Sequence, residues 1–249
     1  MNIVIIGTGY VGLVTGVGLA NLGNTVDFID LDENKIKNLS SKKITFYEPG
    51  LEEYFNHDKT FKRMSFSSDY ASIEWENIDI VFVCVQTPNN IETNSVDTKF
   101  LESAIKEINN VNNNDLVITV KSTIPPYEIE KVCEKVGMDS SKLTFNPEFL
   151  REGTAVEDFF KPDRIVLGGA DKEKLNKLIE LYSDFECEII TTDSISSQLI
   201  KYLANTYLPL RLSFVNEATR LIDYSGGNLD DVLKGVGLDN RIGQHYFRP

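Results

Sequence analysis

Few folds accommodate the pattern on which this chain opens. An apolar run, Asn2-Ile3-Val4-Ile5-Ile6, leads into Gly7-Thr8-Gly9-Tyr10-Val11-Gly12, and eighteen residues past Gly12 stands Asp30, closing a second apolar run, Thr25-Val26-Asp27-Phe28-Ile29. This is strand, glycine turn, helix, strand, acid. Gly7 permits the tight turn, Gly9 lets backbone approach a pyrophosphate, and Gly12 lets the helix pack close to the strand. Amides at the helix N-terminus then face the phosphates, and the acid can hold the ribose hydroxyls. Alone, a glycine pattern is weak evidence. In this setting it points to a nicotinamide dinucleotide rather than to a flavin or a ligand-free turn. Asp30 is followed by Leu31-Asp32, with no arginine to receive a 2′-phosphate, so NAD is expected over NADP.

The rest of the chain extends the alternation. Helices are expected over 33–38, 51–55, 70–75, 98–108 and 172–182, and strands over 62–65, 78–85, 116–120, 142–145, 164–167 and 188–191. The runs 78–85 and 116–120 are continuously apolar, as befits a parallel sheet covered on both faces. Pro125 and Pro126 suit the first turn of a helix. The fold class is therefore α/β, a doubly wound, Rossmann-like parallel sheet. Polar clusters follow the strand ends: the glycine turn, Thr87, Thr123, and Asn146 to Glu148. Ligands of such sheets bind beyond the carboxyl ends of the strands, which makes these clusters one candidate site.

From about Ser197 the period changes. Leu199, Leu203, Tyr207, Leu210, Phe214, Ala218 and Leu221 recur at spacings of three and four. A long central helix over 197–224 follows, roughly 28 residues and about 42 Å. Pro209 predicts a kink in it and Gly226-Gly227 its end. A second apolar set, Ile200, Leu208, Leu212, Val215 and Ile222, makes it apolar over more than half its circumference, so more than one neighbour must bury it. A short helix is expected over 228–235. The expected division is 1–195 for cofactor binding and 196–249 for a helical, dimerising region.

The 249 residues suffice for a sizeable core, and 41% hydrophobic with 25% charged residues is ordinary for a globular protein. A net charge of −13 argues against nucleic acid and anionic membrane surfaces as partners. No run approaches a membrane span. The N-terminus has no basic leader and its apolar run breaks at Gly7, so a cytoplasmic protein is expected. Cys84, Cys133 and Cys187 fit neither a disulfide framework nor a zinc pattern. No metal is expected. All three thiols read as structural, with none near a strand-end cluster.

Several constellations carry two readings. Lys201 and Asn205 lie four apart and share a helix face. They could stabilise an oxyanion, although spacing alone favours a solvated lysine and a buried asparagine satisfied by backbone. Glu148 and Glu152 could do acid–base work, or Glu152 could simply open a helix over 152–159 and complement its dipole. Thr123 could donate to a nicotinamide amide or cap the helix begun by Pro125. His57 and His245 have no partner pattern for a triad.

Four further segments carry a resemblance: Lys121-Ser122-Thr123-Ile124-Pro125, Asn146-Pro147-Glu148-Phe149-Leu150-Arg151-Glu152-Gly153-Thr154-Ala155, Lys201-Tyr202-Leu203-Ala204-Asn205-Thr206 and Arg241-Ile242-Gly243-Gln244-His245-Tyr246. With the glycine turn they resemble, in order and over the whole chain, the nucleotide-sugar dehydrogenases of the UDP-glucose/GDP-mannose dehydrogenase family that oxidise UDP-glucose to UDP-glucuronate. The resemblance implies that Gly7, Gly9, Tyr10, Val11 and Gly12 hold the NAD pyrophosphate, and Asp30 and Lys35 the adenosine ribose. Thr87 and Thr123 would lie toward the nicotinamide, with Glu152 near its ribose. Glu148 and Thr123 would position a catalytic water, and Phe149, Leu150 and Arg151 would line the sugar-nucleotide site. Lys201 and Asn205 would stabilise the oxyanion, reversing the reading from spacing. Arg241 and Tyr246 would contact the nucleotide-sugar, and the central helix would form a homodimer core.

The family reaction removes two hydrides from C6 of the sugar with two NAD, through a cysteine thiohemiacetal and thioester. The family's cysteine lies in a glycine-rich loop shortly after the segment matching 241–246, and a second α/β domain completes the sugar pocket. This chain ends first, so the 249 residues alone are expected to be inactive. GDP-mannose and UDP-N-acetyl sugars are the rival substrates. Lys161-Pro162-Asp163-Arg164-Ile165-Val166-Leu167-Gly168 looks most like the UDP-glucose group, and Phe149-Leu150-Arg151 speaks against the N-acetyl group. An NAD-binding dimer without turnover is the alternative from another class.

Overall fold

In the computed structural model, residues 1–92, 95–111 and 116–244 are described. Strand β1 (Asn2–Ile6) runs through the glycine turn into helix α1 (Tyr10–Asn21), β2 (Thr25–Ile29) and α2 (Glu33–Ser40). Then come α3 (Leu51–Asn56), α4 (Asp58–Phe61), β3 (Met64–Ser67), β4 (Ile80–Val83), a two-residue-arm hairpin β5 (Asn89–Asn90) and β6 (Ser95–Val96), and α5 (Lys99–Asn109). The remaining elements are β7 (Val117–Val120), α6 (Pro126–Val136), β8 (Leu143–Phe145), α7 (Ala155–Phe160), β9 (Arg164–Gly168), α8 (Lys172–Leu181), β10 (Glu188–Thr192), α9 (Ser194–Ser225) and α10 (Leu229–Gly237).

The main sheet has the order β10-β9-β8-β7-β4-β1-β2-β3. Alternation along β1 feeds two cores, as the pleat requires. Ile3 and Ile5 join Leu13, Val17, Phe28 and Phe159 on one face, while Val4 and Ile6 join Val81, Leu101, Ile105 and Val132 on the other. Burial on both faces explains the unbroken apolar runs. Strand order reverses at β1 and β4, which opens the crevice where such sheets bind ligands.

The sheet is mostly parallel, with one exception. β9 meets β8 antiparallel, pairing Gly168 with Phe145. The intervening segment lays α7 on α1, where a Cβ at Gly18 would fall 2.1 Å from the Phe159 ring. It therefore does not make the crossover that a parallel neighbour needs.

Local expectations shift in physically traceable ways. The strand expected at 62–65 lies at Met64–Ser67, since Lys62 and Arg63 complete the turn after α4. The helix expected over 70–75 is two 3-10 turns, Tyr70–Ser72 and Trp75–Asn77. Asp69 caps the first through Ala71 N, and the Trp75 indole donates to Tyr70 O at 3.1 Å across stacked rings. β4 is shorter than 78–85, which moves Cys84 from mid-strand to the strand end. Glu152 does not open a helix. α7 begins at Ala155, because Gly153 sits at φ +90° and Glu48 accepts from the amides of Gly153 and Ala155. Pro125, not Thr123, is the cap of α6.

Helix α9 is 32 residues long and starts earlier than expected. Asp193 caps it, with Oδ1 accepting from Ser196 N at 2.8 Å. It stops as expected at Gly226 (φ +72°), where Gly227 N donates to Ile222 O at 3.0 Å. By internal contacts the chain forms two compact units, 1–199 and 200–249, with the division inside α9.

Candidate functional site

A cleft of about 640 Å³ opens beyond the carboxyl ends of the strands in the first unit. The glycine turn forms one wall. Gly7 has φ +96°, and a Cβ there would sit 2.8 Å from Cys84 O. A Cβ at Gly12 would sit 1.9 Å from Gly7 O, whereas one at Gly9 would meet nothing within 4 Å. Two glycines thus close the turn and the third leaves space over it. Helix α1 has no side-chain cap, and its first intrahelical bond is Leu13 N to Gly9 O at 2.9 Å. The amides of Tyr10, Val11 and Gly12 are therefore presented at a positive helix end.

Asp30 lines the cleft at the end of β2. Its carboxylate accepts from Thr8 N at 2.8 Å, Thr8 Oγ1 at 2.7 Å and Asp32 N at 3.0 Å, with Lys35 Nζ at 3.5 Å. Burial pushes its pKa up, but these donors and Lys35 outweigh burial and hold it below the ordinary carboxylate value. The group is an anion on the cleft wall, a carboxylate that can accept from hydroxyls and would repel a phosphate. Tyr70, which the sequence offered only as part of a helix, lines the same end; burial, then Glu107 and Asp30, push its phenol up to about 12.

The opposite wall comes from the ends of β4, β7 and β8. Thr87 Oγ1 donates to Thr123 O at 2.7 Å, and Ser122 Oγ donates to Val85 O at 2.5 Å, tying two strand ends together. Glu148 enters the lining and accepts from Leu150 N at 2.8 Å. Beneath lies a polar network missed from sequence. Buried Lys121 donates to Asn146 Oδ1 at 2.8 Å, as does Tyr182 OH at 2.8 Å, and Asn146 Nδ2 donates to Val166 O at 3.0 Å. Cys84 also lines the cleft, contrary to the expectation that no thiol lies near a strand-end cluster. Burial pushes its pKa up to about 12, against Lys121, so it is a protonated wall residue.

The structure thus gathers Gly7, Gly9, Tyr10, Val11, Asp30, Lys35, Thr87, Thr123 and Glu148 around one cleft. Other candidates lie elsewhere. Glu152 is on an exposed turn. The Phe149 ring lies under the Arg164 guanidinium at 3.8 Å, and Leu150 packs on the core. Arg151 forks onto Asp158 at 2.5 and 3.1 Å. Lys201 and Asn205 stand one turn apart on α9, but with burial opposite to that expected from spacing, since Lys201 is buried and Asn205 exposed. Arg241 pairs with Asp239 at 2.6 Å, while Tyr246 falls outside the described residues. Arg211, also missed, donates to the carbonyls of Ile242 (2.9 Å) and Gly243 (3.2 Å) and holds the segment that carries Arg241.

Residues 1–186 match the UDP-glucose/GDP-mannose dehydrogenase family, NAD binding domain, and residues 195–249 match the central domain of the same family. The chain belongs to this family. It is 39% identical over 252 residues to a UDP-glucose 6-dehydrogenase of Rickettsia felis, covering 99% of this chain and 56% of that protein. A UDP-glucose dehydrogenase structure from Pyrobaculum islandicum superposes with TM-score 0.89 at 35% identity, over 99% of this chain and 58% of the other. A GDP-mannose dehydrogenase from Pseudomonas aeruginosa, solved as a ternary complex, superposes at 0.88 with 27% identity, over 100% and 60% of the two chains. The chain therefore spans a little over half the length of these relatives. The cofactor of the NAD binding domain is NAD, and the cleft suits it: open space at Gly9, presented amides at α1, and an anionic Asp30.

Proposed function

We propose that the whole protein oxidises UDP-glucose at C6 to UDP-glucuronate, and that residues 1–195 supply its cofactor site. The observation that carries this is the cleft at the strand-order reversal, walled by the α1 N-terminus, Asp30 and the Thr123–Glu148 side. NAD, when bound, would supply the acceptor for each of the two hydrides that leave the sugar carbon. Backbone amides of Gly9, Tyr10, Val11 and Gly12 hold its pyrophosphate, and Asp30 with Lys35 orients the adenosine ribose. Thr87 and Thr123 fix the nicotinamide end, beside which Glu152 is assigned to the second ribose. Glu148 accepts a proton from, or orients, a water at the reacting carbon with Thr123. Lys201 and Asn205 stabilise negative charge on the substrate oxygen. Phe149, Leu150, Arg151, Arg241 and Tyr246 are assigned to the nucleotide-sugar. Identity to UDP-glucose enzymes supports UDP-glucose over GDP-mannose and N-acetyl sugars. Residues 196–249 form the dimerising region, and the three free cysteines agree with a reducing, cytoplasmic setting.

For the 249 residues alone a second reading is favoured, NAD binding without turnover. Burial pushes the thiols of Cys84 up to about 12 and Cys133 up to about 11 and raises Cys187, so none supplies a thiolate near neutral pH. Calorimetric titration should show NAD bound more tightly than NADP, and UDP-glucose should give no NADH. Equal or tighter NADP binding would remove the role of Asp30. Robust turnover that vanished on changing one of these cysteines to serine would show that thiol to be the nucleophile.

A further inference from the structure

Glu48 belongs to none of the segments a dinucleotide fold requires. It sits on the irregular stretch between α2 and α3, yet it is only 4% exposed. A buried carboxylate is costly unless donors meet its lone pairs. Here the donors come from two places far apart in sequence. Oε2 accepts from the Tyr10 hydroxyl at 2.9 Å and from Gly153 N at 2.9 Å, and Oε1 accepts from Ala155 N at 2.7 Å. The Tyr10 oxygen is also 3.0 Å from Arg151 O, so its one proton is shared between the carboxylate and that carbonyl. Burial, then Glu48, push the Tyr10 phenol well above its ordinary value, which keeps it a donor.

The two ends of this cluster differ in role. Tyr10 is the first residue of α1, follows Gly9 directly and lines the cofactor cleft. Gly153 and Ala155 close the segment that starts at Glu148, which lines the other side of the same cleft. Local hydrogen bonds also hold that segment. Glu148 accepts from Leu150 N at 2.8 Å, Arg151 N donates to Asp158 at 2.8 Å, and the backbone turns through Gly153 at φ +90°.

We propose that Glu48 is a positioning residue that latches the 148–155 segment to the tyrosine of the glycine turn, coupling cofactor occupancy of the turn to the placing of Glu148. The inference rests on the reading of the cleft as the NAD site and of Glu148 as its neighbour toward the substrate. A ligand that orders the start of α1 orders Tyr10. Because Tyr10 and the amides of Gly153 and Ala155 share one carboxylate, that order reaches the segment without a change of fold. A carboxylate that only stabilised the fold would hold the segment equally with and without ligand.

Hydrogen exchange of the 249-residue chain, with and without saturating NAD, separates these cases, with NAD binding followed independently by calorimetry. In the unaltered chain NAD should slow exchange of the 153–155 amides by at least about fivefold. Tyr10→Phe, compared at NAD concentrations that calorimetry shows to saturate it, should lose that slowing, and Glu48→Gln should do the same. Glu48→Gln risks the fold, so Tyr10→Phe, which removes a single oxygen, carries the decision. Undiminished slowing in Tyr10→Phe overturns the proposal, as does absence of slowing in an unaltered chain that binds NAD. Failure of the unaltered chain to bind NAD overturns the cofactor reading and this inference together.

Discussion

Gly9 and Gly12 stand one helical turn apart and carry opposite constraints. At Gly12 a methyl group would meet backbone at 1.9 Å, so Gly12→Ala must displace α1 from β1. A loss of about 1–3 kcal/mol or more is expected in a denaturant melt. At Gly9 φ is −71° and the space is open, so Gly9→Ala should melt within about 0.5 kcal/mol of the unaltered chain while weakening NAD, whose pyrophosphate needs that space. If both variants lost stability equally, the open turn would not be a binding surface. Asp30 makes a second residue-level case. Its folded pKa is depressed, so the stability it contributes is present above the unfolded value of about 4 and is lost as pH falls through the folded value. The gap in melting temperature between the unaltered chain and Asp30→Asn should be constant above about pH 5 and should shrink in acid. The same substitution should weaken NAD roughly ten- to hundredfold at neutral pH, because a charged acceptor is lost.

At the scale of elements, boundaries were decided by caps that lie outside the apolar pattern. Asp193 sets the start of α9, and Glu48 sets the start of α7 from more than a hundred residues away. Pro209 is the residue that an α-helix favours least within α9. It lacks an N–H for the Asn205 carbonyl one turn back, and its ring crowds that carbonyl. Pro209→Ala should therefore raise the thermal midpoint read by circular dichroism, with up to about 3 kcal/mol of helix propensity at stake. An unchanged or lower midpoint would mean that neighbouring groups already satisfy the proline's carbonyl. The segment 146–155 was readable by type but not by placement. Glu148 reaches the cleft, while Arg151, four residues short of α7, turns outward onto Asp158.

For the whole molecule the open question is association. Val215 and Ile222 on α9 are buried, whereas Leu203 is 65% exposed, Phe214 62% and Leu221 66%. The second apolar set is thus covered at these positions and the first is not, and a stripe of this length exceeds what monomers usually expose. Sedimentation equilibrium should report a dimer, and Leu203→Glu with Phe214→Glu should yield monomer with NAD binding retained. A monomer at high concentration in the unaltered chain would place that stripe against something other than a second copy. No described helix is long and apolar enough to cross a membrane.

What the residues determined by themselves was local: the period of two and of 3.6, the glycine turn, the acid eighteen residues on, and hence the α/β class and NAD. These follow from nearest-neighbour geometry along the chain, which a sequence records directly. What only tertiary structure decided was long-range. The antiparallel entry of β9, the arrival of Cys84 in the cleft, the Lys121–Asn146–Tyr182 network and the clasp of Glu48 on Tyr10 and Gly153 join residues from 23 to more than 100 positions apart. A buried polar group must find partners wherever packing puts them. Its role therefore has no spacing by which the chain could announce it.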